Sequence, residues 1–245
     1  MMIFVFDLDG TICFSGAPLD KKIVGALHTI IEQGHEVIFA SARPIRDMLP
    51  VIPTSLQTCR MIGSNGAFTY VDGFIEVEFL HSSIQSQIVE LVESHELAYL
   101  ADSDWNYAYT GSKNHPMYSG IDSEKKAEKV SIHELTGFSK VLLFDPPTSV
   151  KNFVKTLPVT TFEYTEEKIL DICSPNLNKI KGLERLGVTH YIAFGNDVND
   201  LLMFKQASHS VCVGMHSVGN HATERIAQHD VHVKIVELGQ KWPIS

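Results

Sequence analysis

The chain lacks paired cysteines, a long apolar run and a basic cluster, and each absence argues against a class of protein. Its four cysteines lie far apart and form no C-x-x-C motif, so we expect reduced thiols in a cytoplasmic protein. No apolar run approaches the roughly twenty residues that span a bilayer, so we expect no membrane segment. The N-terminus leads straight into a strand that carries the candidate site, so we also expect no removable signal peptide.

The sequence has fewer basic than acidic residues. The sequence has 20 Lys and Arg against 29 Asp and Glu, which gives a formal net charge of −9. A protein that binds a phosphate backbone needs the opposite sign, so we expect no nucleic-acid partner. At 245 residues, 44% of them hydrophobic, the chain can form one large or two ordinary domains. The sequence does not decide the oligomeric state.

The most informative stretch is Asp7-Leu8-Asp9-Gly10-Thr11, which follows an apolar segment at residues 3–6. A strand that is apolar on both faces is typical of a parallel sheet covered by helices, and ligands bind beyond the carboxyl ends of such strands. Two carboxylates one residue apart repel each other, so a cation is expected, and oxygen ligands favour Mg²⁺. The alternative is that Asp7 and Asp9 only cap a turn or a helix, although one Asp would suffice for that.

A second polar loop follows the next predicted strand, residues 37–40, at Ser41-Ala42-Arg43. A helix between the two strands completes a β-α-β unit. The Ser41 hydroxyl and the N–H groups after it are suited to phosphate oxygens, although an isolated serine here is more often a cap. Asn65-Gly66, after a third short strand, is typical of a hairpin turn and compatible with a role in the site.

The pattern changes between residues 74 and 176, where strands joined by tight turns are flanked by two helices. This predicts an α+β domain inserted between core segments 1–73 and 177–245. The β-α alternation then resumes, with Lys179 at the start of a helix and a cluster of Asn and Asp at residues 195–200 after a strand. Further on we expect a helix at residues 218–228 and an edge strand at 231–236.

Four motifs in this order resemble the haloacid dehalogenase (HAD) phosphohydrolase superfamily along the whole chain. Residues 7–11 match its first motif, Ser41 the second, Lys179 the third and residues 195–200 the fourth. The insertion between the second and third motifs is similar to the C2 cap of the Cof-type, subclass IIB sugar-phosphate phosphatases. The resemblance implies an α/β fold: a Rossmann-like parallel core with an inserted α+β cap domain.

The resemblance also implies an activity and a set of residues. The chain would be a Mg²⁺-dependent phosphatase acting on a small phosphate ester, most simply a sugar phosphate. Asp7 would attack phosphorus to form an aspartyl-phosphate, and Asp9 would act as general acid and base. The residues that bind phosphate or substrate would be Ser41, Ala42, Asn65, Lys179 and Asn199. The metal would be held by Asp7, the main-chain carbonyl of Asp9, Asn196 and Asp200, the last either directly or through a neighbour.

Three positions depart from the family pattern. Asn196 stands where an Asp is usual, so either its amide oxygen ligates more weakly or Asp197 contributes. Lys181-Gly182 mimics the family's Lys-Gly pair, but spacing favours Lys179. Ala42 replaces a common Gly and keeps its N–H group.

Other functions remain open at this point. One is a phosphomutase, and another is a phosphatase for pyridoxal phosphate or flavin mononucleotide. A third, favoured by Asn196, is a regulatory protein that keeps the fold without turnover.

Overall fold

The computed structural model describes residues 1–242, which divide into two units. The first unit contains Met1–Phe74 and the chain from Asn178 onward, and the second is Ile75–Leu177. Residues 243–245 of the predicted core segment lie outside the described part of the chain.

Strands and helices alternate over residues 3–63 and again over residues 179–213, and elsewhere two or three strands follow one another. The strands are β1 (Ile3–Phe6), β2 (Glu36–Ala40), β3 (Arg60–Gly63), β4 (Phe68–Val71), β5 (Phe74–Val77), β6 (Ala98–Asp102), β7 (Tyr107–Tyr109), β8 (Lys140–Phe144), β9 (Thr160–Tyr164), β10 (Ile169–Cys173), β11 (Tyr191–Gly195), β12 (His209–Val213) and β13 (Glu224–Ile226). The helices are α1 (Lys21–Glu32), α2 (Ile45–Met48), α3 (Ser82–Ser94), α4 (Thr148–Val154), α5 (Lys179–Arg185), α6 (Leu201–Gln206) and α7 (Val231–Lys241).

The core sheet has the strand order β13-β12-β11-β1-β2-β3-β4-β5. From β13 to β3 the neighbours run parallel, and β4 is antiparallel to β3. The central strand β1 is buried because both of its faces are apolar and covered. The predicted α/β fold, with a Rossmann-like parallel core and an inserted α+β part, is confirmed.

Helices cover both faces of this sheet. On one face Val5 and Ile38 pack with Leu183 of α5 and Met203 of α6. On the other face the ring of His35, just after α1, lies edge-on to Phe4 at 5.3 Å, and its Nε2 lies 3.0 Å from the carbonyl oxygen of Gly239 in α7. Burial of both faces leaves the strand ends as the natural place for polar residues.

The second unit is an antiparallel sheet in the order β7-β6-β8-β10-β9. One face packs against the apolar sides of α3 and α4, through residues such as Ile88, Val141 and Val150. The other face forms a separate cluster that includes Tyr107 and Tyr109. The alternating aromatic residues of β7 therefore serve packing.

Two predictions near the C-terminus are wrong. The predicted edge strand at 231–236 is the start of α7, in which Val231, Ile235 and Leu238 are buried while Val233 is exposed. That spacing is helical, and the short Val-His-Val alternation conceals it. The predicted helix at 218–228 is a 3₁₀ turn, Ser217–His221, followed by the edge strand β13.

Two further properties bear on the class of protein. All four cysteines are free. Within residues 1–242, no helix has both the length and the apolar character needed to cross a membrane.

Candidate active site

Four neighbouring strands end at one edge of the core sheet, and polar residues follow each of them. Strands β11, β1, β2 and β3 lie side by side and parallel, so their carboxyl ends share that edge. Asp7 follows β1, Ser41 follows β2, Ser64–Gly66 follows β3 and residues 196–200 follow β11. The sheet thus gathers segments that are far apart in sequence.

The centre of the site is a buried lysine between two carboxylates. Lys179 Nζ donates to Asp7 Oδ1 at 2.5 Å and to Asp200 Oδ1 at 2.6 Å. Lys179 is 1% exposed, Asp7 4% and Asp200 0%. The side chain of Asn178 caps α5 by accepting from the Lys181 N–H, which makes Lys179 the first helical residue. Of the two candidate lysines, Lys179 is buried and contacts Asp7, while Lys181 is partly exposed.

Burial and charge set the protonation of this triad in opposite directions. Burial raises the pKa of Asp7 to about 7, the positive charge of Lys179 opposes the rise, and the negative charge of Asp200 adds to it. Burial acts to lower the pKa of Lys179, but Asp200 and Asp7 outweigh it and raise that pKa above the usual value. The lysine therefore stays charged, and it favours the ionised form of Asp7.

The other side of Asp7 faces a group of oxygen atoms. Thr11 Oγ1 donates to Asp7 Oδ2 at 2.8 Å. One terminal atom of the Asn196 amide lies 3.1 Å from Asp7 Oδ2, 3.0 Å from the main-chain oxygen of Asp9 and 3.1 Å from Thr11 Oγ1. Gly10, at φ +80°, leaves room for this amide, since a Cβ there would lie 2.2 Å from Asn196 Nδ2. The amide either donates its N–H groups to these oxygens or turns its own oxygen towards them.

These oxygens fit a hard cation. In the described residues, no three His, Cys, Asp or Glu side chains come together as a metal site, so a cation here would depend on carbonyl and amide oxygens as well. Mg²⁺ takes octahedral oxygen ligands at about 2.0–2.1 Å, which places adjacent ligand oxygens about 2.8–3.0 Å apart. The distances from Asn196 to Asp7 and Asp9 are close to that spacing. Asp7 Oδ2, the Asp9 carbonyl and Asn196 are therefore the residues that can hold Mg²⁺.

Asp200 and Asp197 have different surroundings from Asn196. Asp200 Oδ2 accepts from the main-chain N–H groups of Asn196 (2.8 Å) and Asp197 (3.1 Å). With Oδ1 on Lys179, both of its oxygens are engaged, so Asp200 holds the lysine and the loop in this arrangement. The half-exposed Asp197 carboxylate accepts from the Val198 N–H at 2.6 Å and lies 3.6 Å from His216 Nε2. It does not point to Asp7, whereas Asn196 does.

The remaining candidate residues lie on the loops after β2 and β3. Ser41 Oγ accepts from the Arg43 N–H at 3.1 Å, and its carbonyl accepts from the Asn65 N–H at 3.0 Å. Ala42 lies between Ser41 and Arg43 on the same loop. Asn199 Nδ2 donates to Asn65 Oδ1 at 3.2 Å, which joins the loop after β3 to the loop after β11. These residues form a polar rim on the loops after β2, β3 and β11.

Sequence reasoning missed the partner of the Asp9 side chain. Arg43 Nε donates to Asp9 Oδ2 at 2.7 Å, and Arg43 Nη2 donates to Asp9 Oδ1 at 2.5 Å. The sequence does contain a signal for this contact, because Arg43 lies in the polar loop after β2 and β2 is the neighbour of the strand that ends in two carboxylates. Parallel pairing of β1 with β2 makes that charge the natural neighbour.

Comparison with known proteins gives the family. The model of the haloacid dehalogenase-like hydrolases matches residues 4–232. No curated protein sequence matches the chain significantly.

Solved structures share the fold at low identity. A haloacid dehalogenase-like hydrolase from Bacteroides thetaiotaomicron has a TM-score of 0.80 and 20% identity, covering 97% of this chain and 99% of that one. A structure described as a HAD subclass IIB sugar phosphatase has a TM-score of 0.77 and 17% identity, covering 98% of both chains. A Thermotoga maritima protein has a TM-score of 0.77 and 20% identity, covering 100% and 98%. The resemblance that the four motifs indicated is confirmed, and the chain belongs to the haloacid dehalogenase-like hydrolase family.

Proposed function

We propose that this hydrolase is a Mg²⁺-dependent phosphatase that cleaves a small phosphate ester, a sugar phosphate, through an aspartyl-phosphate on Asp7. The observation that carries the proposal is the buried contact of Lys179 with Asp7 and Asp200. A lysine held there neutralises both the nucleophile and an incoming phosphoryl group. The fold shared with a sugar phosphatase of subclass IIB supports the substrate class.

The first half of the reaction uses Asp7 and Asp9. A carboxylate oxygen of Asp7 attacks phosphorus, the bond from phosphorus to the ester oxygen breaks, and the carboxyl group of Asp9 gives its proton to the leaving alcohol. Lys179 favours the ionised form of Asp7 and holds its carboxylate by a hydrogen bond to Oδ1. Bound Mg²⁺, held by Asp7, the Asp9 carbonyl and Asn196, would supply positive charge against the phosphoryl oxygens.

The second half returns the enzyme to its starting state. The Asp9 carboxylate takes a proton from water, the water oxygen bonds to phosphorus, and the bond between Asp7 and phosphorus breaks to release inorganic phosphate. Acid–base help of this kind contributes about 10²–10⁴ in rate. We propose Ser41, Ala42, Asn65 and Asn199 as the residues that bind the phosphate oxygens or the alcohol.

We further propose that the unit Ile75–Leu177 is the cap domain of the enzyme. Its antiparallel sheet is inserted into the core sequence between strand β4 and the lysine helix α5. Units inserted at such points commonly close over substrates and exclude water. The four free cysteines support a reducing compartment, as in the cytoplasm.

The test is phosphate release from a panel of sugar phosphates and other esters at millimolar Mg²⁺. We expect release by the wild type, loss of at least about 10³-fold in Asp7→Asn, because the nucleophile is removed, and dependence on added Mg²⁺. Asp20→Asn is the matched control, since Asp20 only caps α1 and Asn caps equally well. Equal release by wild type and Asp7→Asn contradicts the proposal, and phosphate transfer without release indicates a mutase.

A further inference from the structure

Four of the five N–H donors of the Arg43 guanidinium group are engaged by neighbouring groups. Nε and Nη2 form a fork on both oxygens of Asp9. Nη1 donates to the main-chain oxygen of Asp47 at 3.3 Å, and Nη2 also lies 4.0 Å from Cys13 Sγ. Since these donors are already occupied, Arg43 is arranged to hold a side chain.

The backbone that carries Arg43 is fixed as well. Its N–H donates to Ser41 Oγ at 3.1 Å, and its carbonyl accepts from the Ser64 N–H at 2.8 Å. Gly63 allows this close approach, because a Cβ there would lie 3.0 Å from the Arg43 oxygen. The fork therefore projects from a loop that is tied to two adjacent strands.

Asp9, by contrast, has a side chain that needs support. Its carboxylate is 49% exposed, whereas the Arg43 side chain is 21% exposed. A half-exposed aspartate exchanges among staggered rotamers, and a two-point fork selects one of them because it fixes the carboxylate plane as well as its position. The orientation of Asp9 thus depends on Arg43.

We propose that Arg43 is a positioning residue that aligns the Asp9 carboxyl group for proton transfer to the leaving alcohol. The fork uses one lone pair of each Asp9 oxygen, so the transferred proton is carried on a remaining lone pair of Oδ1 or Oδ2. This role rests on the proposed function, in which Asp9 is the proton donor. Arg43 then affects turnover only by orienting the Asp9 side chain. Phosphate binding belongs to Lys179 and the polar rim.

The size of the effect follows from what Asp9 supplies. Acid–base help is worth about 10²–10⁴, and misplacing a catalytic group by about 1 Å costs on the order of 10². Arg43→Met should therefore lower kcat for a sugar phosphate by about 10–10². KM should change by less than about 3-fold, because the lost donors do not contact substrate.

The test compares two esters in four proteins. The esters are the best sugar phosphate of the panel and p-nitrophenyl phosphate, whose leaving group needs no proton. The proteins are wild type, Arg43→Met, Asp9→Asn and the double variant. Rates are taken from the first turnover, in which the leaving group is released, because Asp9 also serves the later hydrolysis of the aspartyl-phosphate for both esters. In that turnover Arg43→Met should mimic Asp9→Asn by slowing the sugar phosphate far more than the aryl ester. On the aryl ester, where Asp9→Asn still releases the leaving group, adding Arg43→Met should change the first-turnover rate by less than about 2-fold, as coupled residues require.

Two further variants separate positioning from loss of structure. Arg60→Met removes another half-buried arginine, which pairs with Glu36 at 2.5 Å away from the site, and should keep both activities. Arg43→Lys retains the charge without the fork, and should fall between wild type and Arg43→Met on the sugar phosphate.

Several outcomes overturn this role for Arg43. They are equal first-turnover losses on the two esters, equal first-turnover losses with and without Asp9, and a rise in KM with kcat unchanged. A wild-type enzyme that releases phosphate from neither ester is a different failure, since it removes the proposed function itself.

Discussion

Replacing Lys179 by Met should destabilise the core strongly, because it leaves two buried carboxylates facing each other. Lys179 Nζ is 2.5 Å from Asp7 Oδ1 and 2.6 Å from Asp200 Oδ1, and all three side chains are buried. Removing one partner of a buried ion pair typically costs about 3–5 kcal/mol. For a protein of this size, about 1 kcal/mol shifts Tm by roughly 2–4 °C, so the expected loss is roughly 6–20 °C.

The assay is thermal unfolding of the metal-free protein, followed by circular dichroism. Lys205→Met is the matched control, because Lys205 is an exposed lysine on α6, a helix of the same unit. We expect that control to shift Tm by no more than about 2 °C, as surface substitutions do. Added Mg²⁺ should recover part of the loss in Lys179→Met, since it binds the folded protein alone.

The loss should also depend on pH, with a definite sign. Burial already raises the pKa of Asp7 to about 7, so lowering the pH protonates it and relieves the repulsion left by Lys179→Met. The gap in Tm between the variant and the wild type should therefore narrow from about pH 8 to about pH 5. A Tm within about 2 °C of wild type at both pH values, or a loss equal to that of Lys205→Met, refutes the triad as the source of stability.

Three other variants test separate parts of the site and fold. Asn196→Asp should lower the Mg²⁺ concentration that gives half-maximal activity in a metal titration, because a carboxylate adds negative charge at a position that faces Asp7. An unchanged or higher Mg²⁺ concentration argues against Asn196 as a ligand. Gly10→Ala should abolish most activity, because its Cβ would meet the Asn196 amide. Gly16 has a similar positive φ with open space around it, so Gly16→Ala should lose about 1–2 kcal/mol of stability and keep its activity. Equal activities of the two variants contradict this prediction. Asp171 has a buried oxygen without a hydrogen-bond partner, and burial raises its pKa from 3.8 to about 6. Between these two pKa values the folded state keeps a proton that the unfolded state loses, so the stability of the wild type falls as the pH rises through them. In urea unfolding, the stability of Asp171→Asn relative to the wild type should therefore increase by up to about 3 kcal/mol from about pH 4 to pH 8. A decrease over the same pH range refutes this prediction.

The core of this account could be predicted from sequence because its signals are local. The apolar run before Asp7 predicts a strand, and the residues around Lys179 predict the start of a helix, each from only a few neighbouring positions. Parallel pairing then brings them to one edge without further information. The inserted unit was visible for the same reason, since its turns break the β-α rhythm.

The rest depends on contacts that sequence does not contain. The fork from Arg43 to Asp9 requires the register of β1 against β2, which no short motif encodes. Near the C-terminus, α7 was mistaken for a strand because its first residues alternate, and only its packing against α1, with Gly239 close to Ile30, reveals the helix. Edge strand β13 carries charged residues and little apolar pattern, so its strand conformation depends on its pairing with β12.

The most direct test of the central claim is to find the phosphoryl group on the enzyme. Wild-type protein is mixed with Mg²⁺ and p-nitrophenyl phosphate labelled in its phosphoryl group, quenched in acid, digested and analysed by mass spectrometry. The account predicts a labelled peptide containing Asp7, and no label in Asp7→Asn. Label on any other residue, or turnover in Asp7→Asn at the wild-type rate, would contradict it.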